Sequence, residues 1–461
     1  MALPPIAASV DSRRVQDREA RNTFWIEVYQ VLVRVGWLFK TETVIMPAVL
    51  DALVDSGWLR GLLPILNRGG QSLPPLAFAG TLGRMRRKWP AAVATTTAMA
   101  ACFGVLAAVW GPLAANRPQL LAGLFLLIYG MFAAVNGLNQ LVLATLQGKL
   151  IAAGNRGRAM VVSVTVGSVA AILAAVWMLG PWLERADGFP RIFAATAFFF
   201  LLAAVVPAVL DEPADEPPPT TGSAPGGPTG WAAGWHAWRR TLTDHPSLRR
   251  LALAAGCFSA VLMMFPHYQA YARGLFGTAA RDLVVWVVVQ NVATGAASLV
   301  AGPLADRRGT RIVLVWLLAL SSLTPLIVTG LSLLPANLAE GWFWLVYLPL
   351  GLNPIALKIF VGYALELAPA AVDHPRYVSI VGAALATPFV LSPLVGLAVD
   401  TLGFRPVFIA GAAVIAAGAI FAIGLPEPRA GMMPETGRRQ DSAARRAAGR
   451  PGSASCPRSE S

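Results

Sequence analysis

The sequence is poor in charge. Of its 461 residues only 13% are Asp, Glu, Lys or Arg, where a soluble domain carries roughly 25%. So little charge would not keep a chain of this length in solution. A soluble enzyme, a disordered chain and a nucleic-acid-binding domain are therefore disfavoured. Cysteine is scarce too. Cys102, Cys257 and Cys456 lie far apart and form neither a disulfide framework nor a metal-ligand spacing. The four histidines are scattered, with no paired motif for catalysis or metal binding, so neither a metal nor a cofactor is expected. A Gly-rich phosphate loop of the ATPase type is missing. The first 23 residues are polar and carry Arg13, Arg14, Arg18 and Arg21. The apolar run behind them is too long and too charged for a cleavable signal peptide.

Apolar length is what the chain has: AVILMFWYC residues make up 56% of it. Twelve segments, roughly 24–50, 57–81, 89–111, 118–146, 159–183, 189–210, 250–272, 282–304, 311–334, 342–367, 377–400 and 405–425, are each long enough to cross the hydrocarbon core, which takes about 20 residues. None alternates with period two, which argues against an outer-membrane barrel. The expected class is an all-α membrane protein with twelve transmembrane helices. A Pro-, Gly- and Ser-rich stretch from Asp211 to Gly230 divides them six and six and reads as a linker. Beyond it Trp231, Trp235 and Trp238 share a helical face ahead of Arg239 and Arg240, the pattern of a short interfacial helix. The expected organisation is a polar tail (1–23), a bundle (24–210), a linker with that helix (211–249), a second bundle (250–425) and a disordered tail (426–461).

The surplus of basic residues, +13 at neutral pH, is explained by where they sit. If the N-terminus is cytoplasmic, 26 Lys and Arg fall on the cytoplasmic side and seven on the other. That is a strong positive-inside bias, so both termini are placed in the cytoplasm of a cell-membrane protein. Four cations remain within spans: Arg34, Lys40, Arg68 and Lys358.

The halves resemble one another in parallel. Gly137-Leu138-Asn139 returns as Gly351-Leu352-Asn353, the 188–193 turn returns at 403–408, and Ala79-Gly80 returns as Ala301-Gly302. The offsets run from 214 to 222 residues, so equivalent helices keep their orientation, as in a parallel repeat of six-helix bundles. The loop after the eighth segment reads Gly302, Asp306, Arg307, Gly309 and Arg311 in the spacing Gly-x-x-x-Asp-Arg-x-Gly-x-Arg. In this the sequence resembles the major facilitator superfamily over nearly all of its membrane portion. Gly396, Asp400, Gly403 and Arg405 look like the related turn on the outer side.

The resemblance implies a secondary active transporter for a small solute, without enzymatic activity, in which the first motif latches the outward-facing state. Glycine would let helices approach closely there. The first-half counterpart has Arg84 in place of the acid, so an acidic latch is expected only in the second half. The family's fourth-segment arginine and fifth-segment antiporter signature are missing, so proton coupling and drug antiport lack their usual support. A receptor or scaffold that kept the fold is the alternative.

Polar groups inside spans mark candidate sites. Arg68 sits in Asn67-Arg68-Gly69-Gly70-Gln71-Ser72 ahead of Pro74-Pro75, a stretch expected to loosen the helix and free backbone groups. Arg34 is near mid-depth, and Lys358 follows an expected break at Asn353-Pro354. Lys40 can equally snorkel outward, and each cation can equally be an internal ion-pair partner. Gln71, Asn139, His267, Gln290, Asn291 and Asn353 complete the candidate substrate-binding set. Helix-packing hydrogen bonds are the favoured role for both asparagines of the repeat. The sharper expectation is an anion-accepting cavity lined by Arg34, Arg68 and Lys358. Glu27 and Glu42 are the candidates for coupling to a proton, and Glu366 lies nearer the cytoplasm. The partners implied are the solute, the bilayer and a coupling ion, with no nucleic acid. The oligomeric state is open, and a monomer is compatible with the sequence.

Overall fold

The computed structural model describes residues 6–151, 153–185, 187–215, 239–277, 279–369 and 374–427. The expected tryptophan helix and C-terminal tail lie outside the described residues. The chain forms twelve membrane-spanning helices. They are α1 (Ile6–Phe39, resumed as Ile45–Asp51), α2 (Gly57–Arg84), α3 (Trp89–Asn116), α4 (Pro118–Leu150), α5 (Ala153–Ala174, running through a π turn at Ala175–Leu179 into Gly180–Leu183) and α6 (Gly188–Val205). The second half holds α7 (Pro246–Phe276), α8 (Ala280–Arg308), α9 (Thr310–Leu331), α10 (Ala336–Trp342 to Asn353–Leu367), α11 (His374–Ala386 to Ser392–Leu402) and α12 (Phe404–Ile423). Ten are long and apolar enough to cross a membrane. The other two, α1 and α2, carry Arg34 and Arg68.

Each half packs as a bundle. Phe103, Phe132, Phe193 and Phe200 form an aromatic core in the first. Trp286 stacks on Tyr347 in the second. Side chains such as Trp177, Leu201 and Ile420 point outward and are exposed, as a lipid-facing surface requires. Lipid supplies no hydrophobic drive between helices, so close backbone contact matters more. The repeated Gly-Leu-Asn does this work. A Cβ on Gly137 would meet the Gln71 backbone of α2 at 2.7 Å, and one on Gly351 would meet Ala293 Cβ and Gln290 O of α8 at 2.6 Å. In both halves the fourth helix lies on the second through this glycine.

Three local expectations change. The first span is not one helix: α1 stops at Phe39 and resumes at Ile45, which puts Lys40 and Glu42 at the break. At its other end α1 begins at Ile6, well before the expected boundary at 24. The second span is not loosened, because α2 runs unbroken through Pro64, Pro74 and Pro75. The break in α10 falls at Gly351–Leu352, and Pro354 sits in the first turn of Asn353–Leu367, where its missing N–H costs nothing.

An acid straps each bundle shut on the face that carries the termini. After α6, the Glu212 carboxylate accepts the Lys88 and Trp89 N–H groups at 2.7 and 2.8 Å, at the start of α3. It also takes Lys149 at 2.8 Å, and its side chain has no exposure. Asp211 binds Arg18 and Arg21. Asp215 pairs with Lys149 and Lys88, and those hydrogen bonds hold its carboxyl below the usual range. After α12, Glu427 accepts the Thr310 and Arg311 N–H groups at 3.2 and 3.1 Å, at the start of α9. A carboxylate there satisfies free helical N–H groups and meets the positive end of the dipole. Gly309, at φ +97°, leaves room for it, since a Cβ would strike the Glu427 carboxylate. The two straps are equivalent in the repeat, since Leu210-Asp211-Glu212-Pro213 and Leu425-Pro426-Glu427-Pro428 recur at an offset of 215.

Glu212→Ala should cost roughly 1–3 kcal/mol, a lost cap plus a lysine left without its partner. Glu212→Gln should cost less, because an amide oxygen still accepts. Thermal midpoints in detergent that match the parent for both variants would show that the strap contributes nothing.

Candidate functional site

The bundles touch at one end. Across the face opposite the termini, Asp400 of α11 accepts the Gly57 and Trp58 N–H groups at 2.9 and 3.1 Å, so a carboxylate from one bundle caps the first turn of α2 in the other. The backbones meet there without side chains between them. A Cβ on Gly57 would lie 2.6 Å from Gly396 O, and one on Gly61 would lie 2.6 Å from Ser392 O. Arg273 of α7 donates to Asp51 O at 3.0 Å and Asp55 Oδ1 at 2.9 Å. Arg60 holds the same two acids at 2.7 and 2.8 Å. The outer Gly-x-x-x-Asp motif thus has a definite role, as Gly396 permits the approach and Asp400 makes the cap.

At the other end the ion pairs of the described residues stay within a bundle. Gly302 was expected to allow a close helix approach, yet a Cβ there would meet nothing within 4 Å, because no neighbouring helix lies against it. Arg311 donates to Leu425 O at 3.2 Å inside its own bundle. The Asp306 and Arg307 side chains lie outside the described residues.

Between the two ends lies the cleft. At the α1 break, Lys40 is fully buried with its ammonium 3.1 Å from the Trp37 ring centroid and 4.6 Å from that of Phe132, an aromatic enclosure for a cation. Its charge is met by Glu42 at 2.7 Å. The other Glu42 oxygen accepts from Asn67, and Asn67 accepts from Gln71. Lys40 is therefore an internal partner and does not snorkel outward. Arg68, one residue beyond Asn67, faces a cavity of about 40 Å³ lined by Glu42, Asn67, Tyr129, Phe265 and Phe389 among others, with room for a few waters. Its guanidinium lies 5.8 Å from the Phe389 centroid.

Lower in the cleft, Arg34 reaches from α1 across to Asn291 Oδ1 of α8 at 3.4 Å, and its buried Nε has no partner. Gly167 makes room for it, since a Cβ there would lie 2.8 Å from Arg34 Cδ. Lys358 of α10 is exposed. Thr43 donates to Gln290 at 2.5 Å, a second link between the bundles. The structure thus brings together Arg34 and Asn291, and separately Arg68, Gln71 and Glu42.

Other candidates fall elsewhere. Asn139 is buried inside the first bundle and spends its amide on Tyr29, Thr95 and Thr96, the helix-packing role favoured above. Asn353 is buried with neither side-chain atom bonded, and so is His267, next to the cavity-lining Pro266. Glu27 is half-buried and engaged by a neighbour. Glu366 accepts from Thr310 at 3.0 Å near the strap. Sequence reading missed Trp37, Asn67 and Gly167. An aromatic three residues before an intramembrane lysine was the available signal for Trp37.

Solved structures of several transporters share this architecture. A solved structure of the nucleoside transporter NupG superposes with a TM-score of 0.64 at 10% identity, covering 87% of this chain and 98% of that one. A peptide-transporter-family (POT) structure in complex with 5-aminolevulinic acid gives 0.64 at 11% identity, over 87% and 95%. A D-xylose–proton symporter gives 0.62 at 13% identity, over 87% and 98%. No protein-family model matches the sequence. No curated protein matches it either. The likeness is therefore one of fold, and the chain is a multi-pass membrane protein of that fold.

Gly396→Val should force the outer face apart at an overpacking cost of roughly 1–3 kcal/mol, shifting the balance of states about 5–150-fold. Thiol labelling of a cysteine placed at Ser56 reports it, and labelling no faster than in the parent background would argue against this contact as the closure. Acid acts on the same face. Arg60, hydrogen-bonded to Asp55, holds that carboxyl below its usual range. The pairing is therefore complete above the ordinary Asp value of about 3.9 and is lost as pH falls through the lowered one. Compared at one pH, 7, Asp55→Asn should raise labelling at Ser56 above the parent background.

Proposed function

We propose that the protein is a secondary transporter that moves a small solute by alternating access of its two bundles, and that it stands here open toward the cytoplasm. The observation that carries this is the one-sided pattern of contacts. Bonds between the bundles run from the Arg34 level to the Asp400 cap. On the terminus face, Glu212 and Glu427 close each bundle on itself. Two rigid units joined reversibly at one end are what rocking around a central site requires. The excess of Lys and Arg on the terminus-bearing face supports its assignment to the cytoplasm. A receptor or scaffold would have no need of a cleft with unsatisfied polar groups at its centre.

Glu42 is the candidate for a coupling proton. It borders the Arg68 cavity, and it is the acid that neutralises Lys40, so its protonation would alter charge where the bundles meet. In liposomes the purified protein should pass solute saturably. If Glu42 couples protons, an inward proton gradient should accelerate uptake in the parent and leave Glu42→Gln unaffected. Uptake indifferent to the gradient in the parent would remove proton coupling. Absence of saturable flux across cationic, anionic and neutral solutes would favour the receptor reading.

A further inference from the structure

Three of the four intramembrane cations have no carboxylate within ion-pair distance among the described residues: Arg34, Arg68 and Lys358. Lys40 alone is paired, and in pairing it consumes Glu42, whose second oxygen is taken by Asn67. Glu42 also borders the Arg68 cavity, so one carboxylate serves two cations there. Glu27 is engaged, and Glu366 is bound to Thr310 beside the strap. Burying an unpaired charge in a membrane protein is costly, and such charges mark pathways for ions and solutes. An anion from outside the chain would supply the missing charge.

The geometry also says where it would sit. Arg34 belongs to the first bundle and Lys358 to the second, and among the described residues neither has a carboxylate within ion-pair distance. An anion held by both would tie the bundles together. Arg34 is held by one long contact, to Asn291 at 3.4 Å, and keeps a buried donor unfilled at Nε. A guanidinium with spare coplanar donors is suited to a carboxylate or phosphate. Arg68 lies level with the α1 break, since its neighbour Asn67 binds Glu42. That is about 9 Å further along α1 than Arg34, six residues at 1.5 Å each. It is available to a second anionic group, with Phe389 and Phe265 beside it.

We propose that the cleft receives a small organic dianion, a dicarboxylate or a phosphate monoester, at the Arg34 guanidinium, with Lys358 of the facing bundle and Arg68 as further contacts. This rests on the transporter reading for its purpose, but binding can be tested without transport. The full chain in detergent is melted with succinate, glycerol 3-phosphate, butyrate, putrescine and glucose in turn. One of the two dianions should raise the midpoint saturably, and which one does so separates dicarboxylate from phosphate chemistry. Butyrate should act weakly, and putrescine and glucose not at all. Arg34→Gln and Lys358→Gln should each weaken the apparent affinity at least about tenfold, the effect of losing one charge-assisted contact. Arg34→Lys, which keeps charge but loses the fork, should fall between. Should a variant fail to fold, the panel on the parent still decides. Stabilisation by putrescine or glucose alone, no response to either dianion, or an unchanged dianion response in both Gln variants would overturn the proposal. Dianion binding without flux would sink the transporter reading and leave this one standing. Saturable flux of a neutral solute would do the reverse.

Discussion

The first turn of a helix presents N–H groups that the helix itself cannot satisfy, and a membrane offers little water to do so. This protein answers with carboxylates, three of them brought from distant parts of the chain. Glu212 caps α3, Glu427 caps α9, and Asp400 caps α2. The chemistry is the same in each, and the difference is in which part of the chain supplies the acid. The first two arrive from the segment that closes the same bundle. The third arrives from the other bundle and joins the two. A joint within a bundle and one between bundles are thus made from the same interaction.

Intramembrane charge divides in a similar way. Lys40 and Glu42 satisfy each other at the α1 break, under Trp37 and Phe132. Arg60 is likewise met by Asp51 and Asp55. Arg34 and Lys358, by contrast, have no carboxylate within ion-pair distance among the described residues, and Arg34 spends its one side-chain bond across the interface, on Asn291. Intramembrane charge is thus answered within a bundle in some places and left to the interface in others.

Much of this was legible in the residues. Twelve apolar runs, the six-and-six division and the parallel repeat rest on hydropathy and on Gly137 and Gly351, whose close approaches are local and recur. The sequence was silent where the outcome depended on long-range geometry. Lys40 and Arg34 look alike as isolated cations in an apolar run, and only the α1 break puts an acid beside one of them. Pro74-Pro75 looks like a helix breaker, yet α2 stays helical through it. The Glu212 and Glu427 straps went unanticipated because each joins residues more than a hundred positions apart, although a pair of Leu-x-Glu-Pro segments at constant offset was their visible trace.

The two straps bear on what kind of object the chain is. Each tucks the end of its own half back against that half's third helix, so a six-helix unit is finished before the next begins. Seen this way, the molecule is two repeated six-helix units written on one polypeptide, each closed on itself by its own acid.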